Sequence, residues 1–567
     1  MACASSRYSS AGKLPVSSSY AIGSFVFAVA AFRASNRCGG FFGLLLLTGL
    51  LVHRDYGVSV DEPRHRLNGM VNIKYVGELL APELVRRQAG NELIPALKGW
   101  SENDHGVAFE VPMALLNFAF TRNNIQAAYW LRHLCIFLVF VAGVYGLYGL
   151  ATLRFQSWRW GLLTALLLVL SPRFFAEAFY NAQDIVFMAL FTLSIYSLTC
   201  FLSSPSYLRA LLHALITALA IDIRIVGIIS VAFTLGMVGT ELLLRPTTEQ
   251  GRKLKLLRCT LFFAITLPLF VLIGWPALWE APLHNFAGIF RSMSHYSLWQ
   301  GRVIYFGLLL KGTQIPWHYI PVWIIITTPL PYLLGAGVGL VVEFRTWLRG
   351  GIEYLRPLDQ RLGLLSIVWL LGPILLIIWR HSVVYNGWRH LYFVYPALVL
   401  LTVQGIRSLI SYGQQSQGRK RLVYSLILLA GLEVGHTVWR MVREHPQQQV
   451  YFSFLPANTV VQLFDRDYWG LSYRQGLEWI LANDTSPKVT YCGDPWMLYC
   501  ATLLLSEAQK NRLQYIWNAN RPEASYFLTN YSWRKQSPTY PDTVGLGRMV
   551  HTIQVDGIPI LSVYKQR

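Results

Sequence analysis

The sequence predicts a polytopic α-helical membrane protein of about eleven transmembrane helices, followed by a small α/β region. Three observations predict it. Of 567 residues, 54% are hydrophobic and 14% charged, against about 25% charged in an ordinary soluble domain, and mean hydropathy is +0.38. Long apolar runs recur through most of the chain. The Lys and Arg that give a net charge of +20 are dispersed in connectors between those runs. They form no basic stripe with interleaved aromatics, no zinc-finger spacing and no glycine-rich phosphate loop, so no nucleic-acid partner is expected.

Residues 1–39, Ser-rich at the start, read as a disordered cytoplasmic N-terminus. Within them Ala21–Phe32 is too short to span and lacks a clear cleavage site. Spans are expected at Phe41–Val52, Cys135–Leu150, Gly161–Leu170, Ile185–Leu202, Leu211–Ile221 and Ile225–Leu244. They continue at Leu261–Pro276, Val322–Val342, Leu362–Ile378, Leu391–Val403 and Leu422–Val434. Several fall short of the usual ~20 residues and need tilt or bilayer thinning.

The connectors orient the bundle. Arg33 and Arg37, Arg154 and Arg159, Arg245 with Arg252, Lys253, Lys255 and Arg258, Arg345 to Arg361, and Arg419-Lys420-Arg421 share one side if the N-terminus is cytoplasmic. The positive-inside rule asks for that parity. It makes residues 40–440 the transmembrane domain, with 55–128 an extracytoplasmic loop, and 441–567 an extracytoplasmic C-terminal domain. Short alternating runs there, Lys488–Tyr491 and Gly557–Tyr564, point to strands in a small α/β fold. In the first outer loop, His105–Phe120 is apolar enough for an interfacial helix starting near Pro112. A twelfth span there would put the basic connectors outside. The seven cysteines are scattered; Cys492 and Cys500 stand as a disulfide or as two thiols.

Polar groups collect at the outward span ends. After the first span come Asp61, Glu62, Arg64 and His65, and further along that loop Glu102, Asp104, His105 and Glu110. Later turns carry Ser171-Pro172 through Asp184, then Asp222-Ile-Arg224, then Tyr385-Asn-Gly-Trp-Arg389-His390. Charges at membrane depth are costly and tend to be paired or functional. Displacement of a lipid phosphate needs cations for the leaving group and a carboxylate for the acceptor's proton. The spacing of Glu102, Asp104 and His105 offers no trusted metal pattern and reads as loop surface.

Residues 40–410 resemble the GT-C superfamily of glycosyltransferases, near the protein O-mannosyltransferases and lipid A aminoarabinose transferases, in a bacterial family 39-like form. The matching pieces are Asp61-Glu62, Ser171-Pro172 through Asp184, the Ala218–Gly227 turn with Arg224, and Arg389-His390-Leu-Tyr-Phe-Val-Tyr-Pro396. The resemblance implies a GT-C-like fold in the bacterial inner membrane and a polyprenyl-phosphate sugar donor. It also implies a hexosyl or pentosyl transfer by inverting displacement, with the active site on the extracytoplasmic side. The acceptor would be a glycan, lipid or protein hydroxyl. On this likeness Asp61 is the general base, its pKa raised by burial beside Glu62; Glu62 and Asp184 orient the acceptor or hold a divalent cation; Arg224, Arg389 and His390 clamp the phosphate. No other cofactor is implied. The tail after Arg440 matches nothing in that family.

Plainer readings stand beside these. Asp61-Glu62 also suits a solvated loop neutralised by Arg64, Asp184 a helix cap with Asn181, and Arg224 a partner of Asp222. Arg389 and His390 also suit headgroup anchoring. The competing class is a transporter or lipid flippase. Against it stand the absence of an internal repeat and the placing of the charges at one face instead of the midplane. A sensor or scaffold with a degenerate loop is the third.

Overall fold

A computed structural model describes residues 38–87, 90–121, 124–294, 301–517, 523–531 and 547–566. The expectations for residues 1–37, Arg33 and Arg37 included, lie outside the described residues. The chain forms two compact units, one ending at Thr48 and one running from Gly49 to Arg567. The site lies wholly in the second.

The first apolar run is α1 (Cys38–Val52). The polar stretch after it is more helical than its composition suggests, with α2 (Glu62–Leu80), α3 (Pro82–Arg87) and α4 (Glu110–Phe120). Both α2 and α4 carry proline in the first turn, where a missing N–H costs nothing. Helix α4 leaves Leu115, Phe118 and Phe120 exposed, as an interfacial helix would. Next come α5 (Ile125–Phe155), α6 (Trp158–Val169), α7 (Pro172–Glu177), α8 (Asp184–Ser203), α9 (Tyr207–Ile223), α10 (Ile228–Leu244) and α11 (Gln250–Gly274). Asn124 and Ser206 open α5 and α9 by accepting first-turn N–H groups. After α12 (Pro282–Ser294), the strands β1 (Arg302–Tyr305) and β2 (Leu308–Lys311) form a hairpin. The helical region closes with α13 (Tyr319–Thr327), α14 (Leu330–Gly350), α15 (Leu358–Arg380), α16 (Tyr395–Gly413) and α17 (Gln417–Arg443).

Among the described residues, seven helical segments are long and apolar enough to cross a membrane, which marks a multi-pass integral membrane protein. They are α5, α8, α10 and α16 with the 3₁₀ turns that precede them, α11, α15 and α17. The other four expected spans coincide with α1, α6, α9 and the pair α13–α14. That pair is a correction: Val322–Val342 is not one helix. Thr328 is extended ahead of Pro329, since a residue before proline avoids the helical region.

Close packing and paired charges hold the bundle. A Cβ on Gly339 would lie 1.9 Å from the Leu401 carbonyl oxygen, and one on Gly405 2.0 Å from that of Gly335. Only glycine lets α14 and α16 touch backbone to backbone there. Two buried acids in the helices are consumed locally. Glu343 accepts from Arg154 at 2.6 Å and from Tyr354, and Glu241 is held by Arg245 and Arg361.

Beyond α17, the chain adds α18 (Ala457–Leu463), α19 (Ser472–Asn483), β3 (Val489–Cys492), α20 (Pro495–Thr502), α21 (Glu507–Arg512), β4 (Leu513–Tyr515), β5 (Tyr526–Thr529), β6 (Arg548–Val555) and β7 (Ile558–Lys565). The sheet order is β4-β3-β5-β7-β6. Strand β3 runs parallel to β4 and β5, and β7 antiparallel to β5 and β6. Leu477 and Ile480 of α19 bury against Leu528, Leu561 and Val563 of the sheet. No disulfide joins Cys492 to Cys500. Arg440 of α17 donates to Asp556 at 2.9 Å and so ties that helix to the β6–β7 turn.

Candidate functional site

The segment leading into α2 is fixed on every side before any chemistry is considered. Ser59 N–H donates to the Glu62 carboxylate at 2.7 Å. Val60 N–H donates to the Trp469 carbonyl at 3.3 Å, and the Trp496 indole donates to the Val60 carbonyl at 2.8 Å. Those contacts leave Asp61 at the start of α2 with its side chain one-third exposed, at 33%.

Asp61 accepts from Arg389 at 2.7 Å. The same guanidinium lies 4.0 Å from Asp184, and Asp184 in turn binds Arg224. Arg224 also donates to Gln183 at 3.3 Å. Four charged side chains from the α2 entry, the head of α8, the α9–α10 turn and the approach to α16 therefore form one continuous chain. Arg389 and Arg224 each keep a buried Nε without a partner among the described residues. Arg389 also lies against two aromatic rings, with its guanidinium 4.7 Å from the Trp469 ring centre and 5.4 Å from that of Tyr385. His390 lies edge-on to Tyr385, 4.7 Å between ring centres.

Local sequence explains the head of α8. Asn181 accepts the Asp184 N–H at 2.8 Å and so caps the turn that leads into α8. Its amide donates to Glu177 at 2.7 Å and to Asp184 at 3.1 Å. The cap role expected of the Asn181–Asp184 pair thus falls to Asn181, which releases the Asp184 carboxylate for the arginines. Tyr392 donates to Glu177 at 2.8 Å. Burial pushes the Glu177 carboxyl up, against the pull of Arg173.

Electrostatics corrects one expectation. Burial pushes the Asp61 carboxyl up, but Arg389 beside it, with His65 and Arg224 contributing, outweighs that and holds it below the ordinary Asp value. Asp61 is an ionised, weakly basic carboxylate as long as Arg389 stays on it.

Glu62 is corrected as well. Its side chain is 0% exposed. One oxygen takes the Ser59 N–H, while the other meets His133 Nε2 at 3.1 Å and lies 3.6 Å from Arg132 Nε. It turns into the protein. A divalent cation shared by Glu62 and Asp184 does not fit: Glu62 is consumed, and Asp184 already faces two guanidinium groups. Arg64 is exposed and reaches Glu102 at 3.4 Å, leaving the acidic pair alone. Asp222 binds no arginine, and both its oxygens lack partners among the described residues.

The first loop holds two further groupings. Glu102, Asp104 and His105, expected as loop surface, bring their ligand atoms within 4.8 Å of one another. His105 is committed to Asp104 at 2.6 Å and Glu102 to Arg64, so each member of the trio already has a partner. Glu110 takes two bonds of 2.7 Å from Arg132.

Sequence reasoning missed the contribution of the C-terminal region. Tyr468, Trp469 and Trp496 come from a stretch that matched no motif. The available signal was Asp465-Arg466-Asp467-Tyr468-Trp469-Gly470, a dense run of charge and aromatic rings ending in glycine. Gly470 has φ +73°, and Asp467 accepts its N–H at 3.1 Å and the Ser472 hydroxyl at 2.6 Å. This turn presents Trp469 to Arg389.

No family model matches the chain, and no curated protein matches it. Among solved structures it is similar to ArnT from Cupriavidus metallidurans, in a crystal structure bound to undecaprenyl phosphate. The two share 11% identity and a TM-score of 0.46, over 93% of this chain and 98% of that one.

Proposed function

We propose that this protein is a GT-C-type membrane glycosyltransferase that moves a sugar from a polyprenyl phosphate to an acceptor hydroxyl on the extracytoplasmic side. The observation that carries the reading is the unbroken chain Asp61–Arg389–Asp184–Arg224, in which an accessible carboxylate and two guanidinium groups share one site.

Its chemistry follows from the residue types. The acceptor oxygen attacks the anomeric carbon from the side opposite the phosphate, forming the new glycosidic bond while the carbon–oxygen bond to phosphate breaks. Asp61 takes the hydroxyl proton. Arg224 and Arg389 receive the charge on the departing phosphate, for which a guanidinium fork is well shaped. Asp184 sets the spacing of the two arginines.

The resting ion pair gives the order of events. Arg389 neutralises Asp61 until an arriving phosphate competes for the same guanidinium. Asp61 then loses its counter-charge and gains basicity at the moment the donor is in place.

The test is a transfer assay in membranes with a panel of polyprenyl-phosphate sugars, comparing wild type with Asp61→Asn. Transfer by the wild type and none by the variant is expected. Equal turnover by the two would refute the base assignment, and no transfer from any donor in the panel would refute the reaction.

A further inference from the structure

We propose that Trp469 is a positioning residue of the transfer site: its backbone holds the segment that carries Asp61, and its ring holds the Arg389 guanidinium. The inference rests on the glycosyl-transfer reading and gives the C-terminal region a part in the reaction.

Residues 54–60, which lead to Asp61, are gripped by the C-terminal region. Arg474 of α19 donates to the carbonyls of Arg54, Asp55 and Tyr56 at 2.8, 3.3 and 3.0 Å. A Cβ on Gly57 would lie 3.0 Å from the Leu471 carbonyl oxygen, so the two backbones run close together there. The Val60 peptide is held from both sides, its N–H by the Trp469 carbonyl at 3.3 Å and its carbonyl by the Trp496 indole at 2.8 Å. The turn that carries Trp469 is itself anchored to the sheet. Asn530, just past β5, donates to the Asp467 carbonyl at 2.8 Å. The Asp467 carboxylate accepts the Gly470 and Ser472 N–H groups at 3.1 and 3.0 Å.

Trp469 meets the other half of the ion pair through its ring. The ring centre lies 4.7 Å from the guanidinium carbon of Arg389, which donates to Asp61 at 2.7 Å. Tyr180 stands near-perpendicular to the indole at 5.7 Å, and Tyr468 leans on it at 5.0 Å. Volume alone does not explain a tryptophan here. Its buried indole N–H has no partner among the described residues, a cost that phenylalanine would avoid. What the indole adds over phenylalanine is the strongest π face for a buried cation. Tyr468 extends the link to the next charge. Its hydroxyl donates to Glu177 at 3.4 Å, and the Asn181 amide joins Glu177 to Asp184 at 2.7 and 3.1 Å. One dipeptide of the C-terminal region thus sets the base against the guanidinium that the phosphate must draw away.

The experiment places ring-fluorinated tryptophans at position 469 of the full-length protein in nanodiscs. Fluorination drains the π face stepwise with little change of shape, so the fold is kept. Undecaprenyl phosphate affinity should fall with each fluorine, by about fivefold for the tetrafluoro ring, the worth of one cation–π contact. Arg389, His65 and Arg224 are the charges that hold Asp61 low. Loosening Arg389 relieves the largest of those pulls. The acid limb of kcat/KM, measured with the polyprenyl-phosphate sugar that turns over, should therefore move to higher pH. A ring that only fills space would move neither quantity. Affinity or an acid limb left unchanged by the tetrafluoro ring overturns the proposal. Failure of the wild type to bind undecaprenyl phosphate undermines the transfer reading itself, whereas wild-type binding that the fluorine series leaves untouched removes only the positioning role.

Discussion

Asp61 and Glu62 are adjacent in the chain yet should fail in opposite ways when replaced. Glu62→Ala removes a fully buried carboxylate and strands the Ser59 N–H and the His133 ring, bonded at 2.7 and 3.1 Å. Breaking a buried ion pair costs about 3–5 kcal/mol. Arg132 keeps both bonds to Glu110, so the lower end applies, about 3 kcal/mol. Asp61→Asn removes a part-exposed group, and Arg389 still has Asp184 at 4.0 Å. Its stability change should stay within about 1 kcal/mol, while turnover falls about 10²–10⁴-fold, the usual worth of a general base. SDS titration in mixed micelles measures the first quantity and the membrane transfer assay the second. A stable Glu62→Ala protein paired with an unfolded Asp61→Asn protein would reverse the two roles and sink the assignment.

Other outcomes follow from the same contacts. Arg224→Ala should weaken undecaprenyl phosphate binding about tenfold, the size expected for one charge-assisted phosphate contact; unchanged affinity in nanodiscs would take Arg224 out of the phosphate site. Glu110→Ala leaves Arg132 with only the distant edge of Glu62 and should lower the unfolding free energy read by SDS titration by about 3–5 kcal/mol. Because Asp61 is held below its ordinary value, the stabilisation from its pair with Arg389 is complete above ~3.9 and is lost as pH falls through the depressed value. If donor binding takes Arg389 away, as proposed, the acid limb of kcat, which reports the complex, should lie at higher pH than that of kcat/KM, which reports the free enzyme. Coincident limbs would contradict the competition for Arg389.

The helical architecture could be read from the sequence because water and lipid impose it one segment at a time. An apolar run such as Ile185–Leu202 cannot leave its backbone groups unbonded in a bilayer, so it becomes α8 whatever its neighbours do. Where reading failed, the deciding force was tertiary. Helix α2 has no strong apolar face; it is stabilised by Glu62 anchoring its first turn and by contact with α4, neither of which periodicity reveals. The break at Thr328-Pro329 was written in the chain, since proline at the middle of an expected span is itself a stop signal.

The site divides along the same line. Asp61, Asp184, Arg224 and Arg389 stood out because charge at a span end is expensive enough to need a reason. Which of them touch is a different question, decided by side-chain reach across segments more than three hundred residues apart, as between Asp61 and Arg389. Glu62 shows how far adjacency misleads. In the sequence it looks like Asp61's twin, but α2 begins between them, and a helix start turns consecutive side chains about 100° apart around its axis. One carboxylate consequently faces the arginines while the other holds the loop that keeps it there. The aromatic wall from the C-terminal region was hidden for the converse reason. Trp469 and Trp496 carry no charge whose cost would have drawn notice, and their meaning comes entirely from the Val60 peptide and the Arg389 guanidinium they meet.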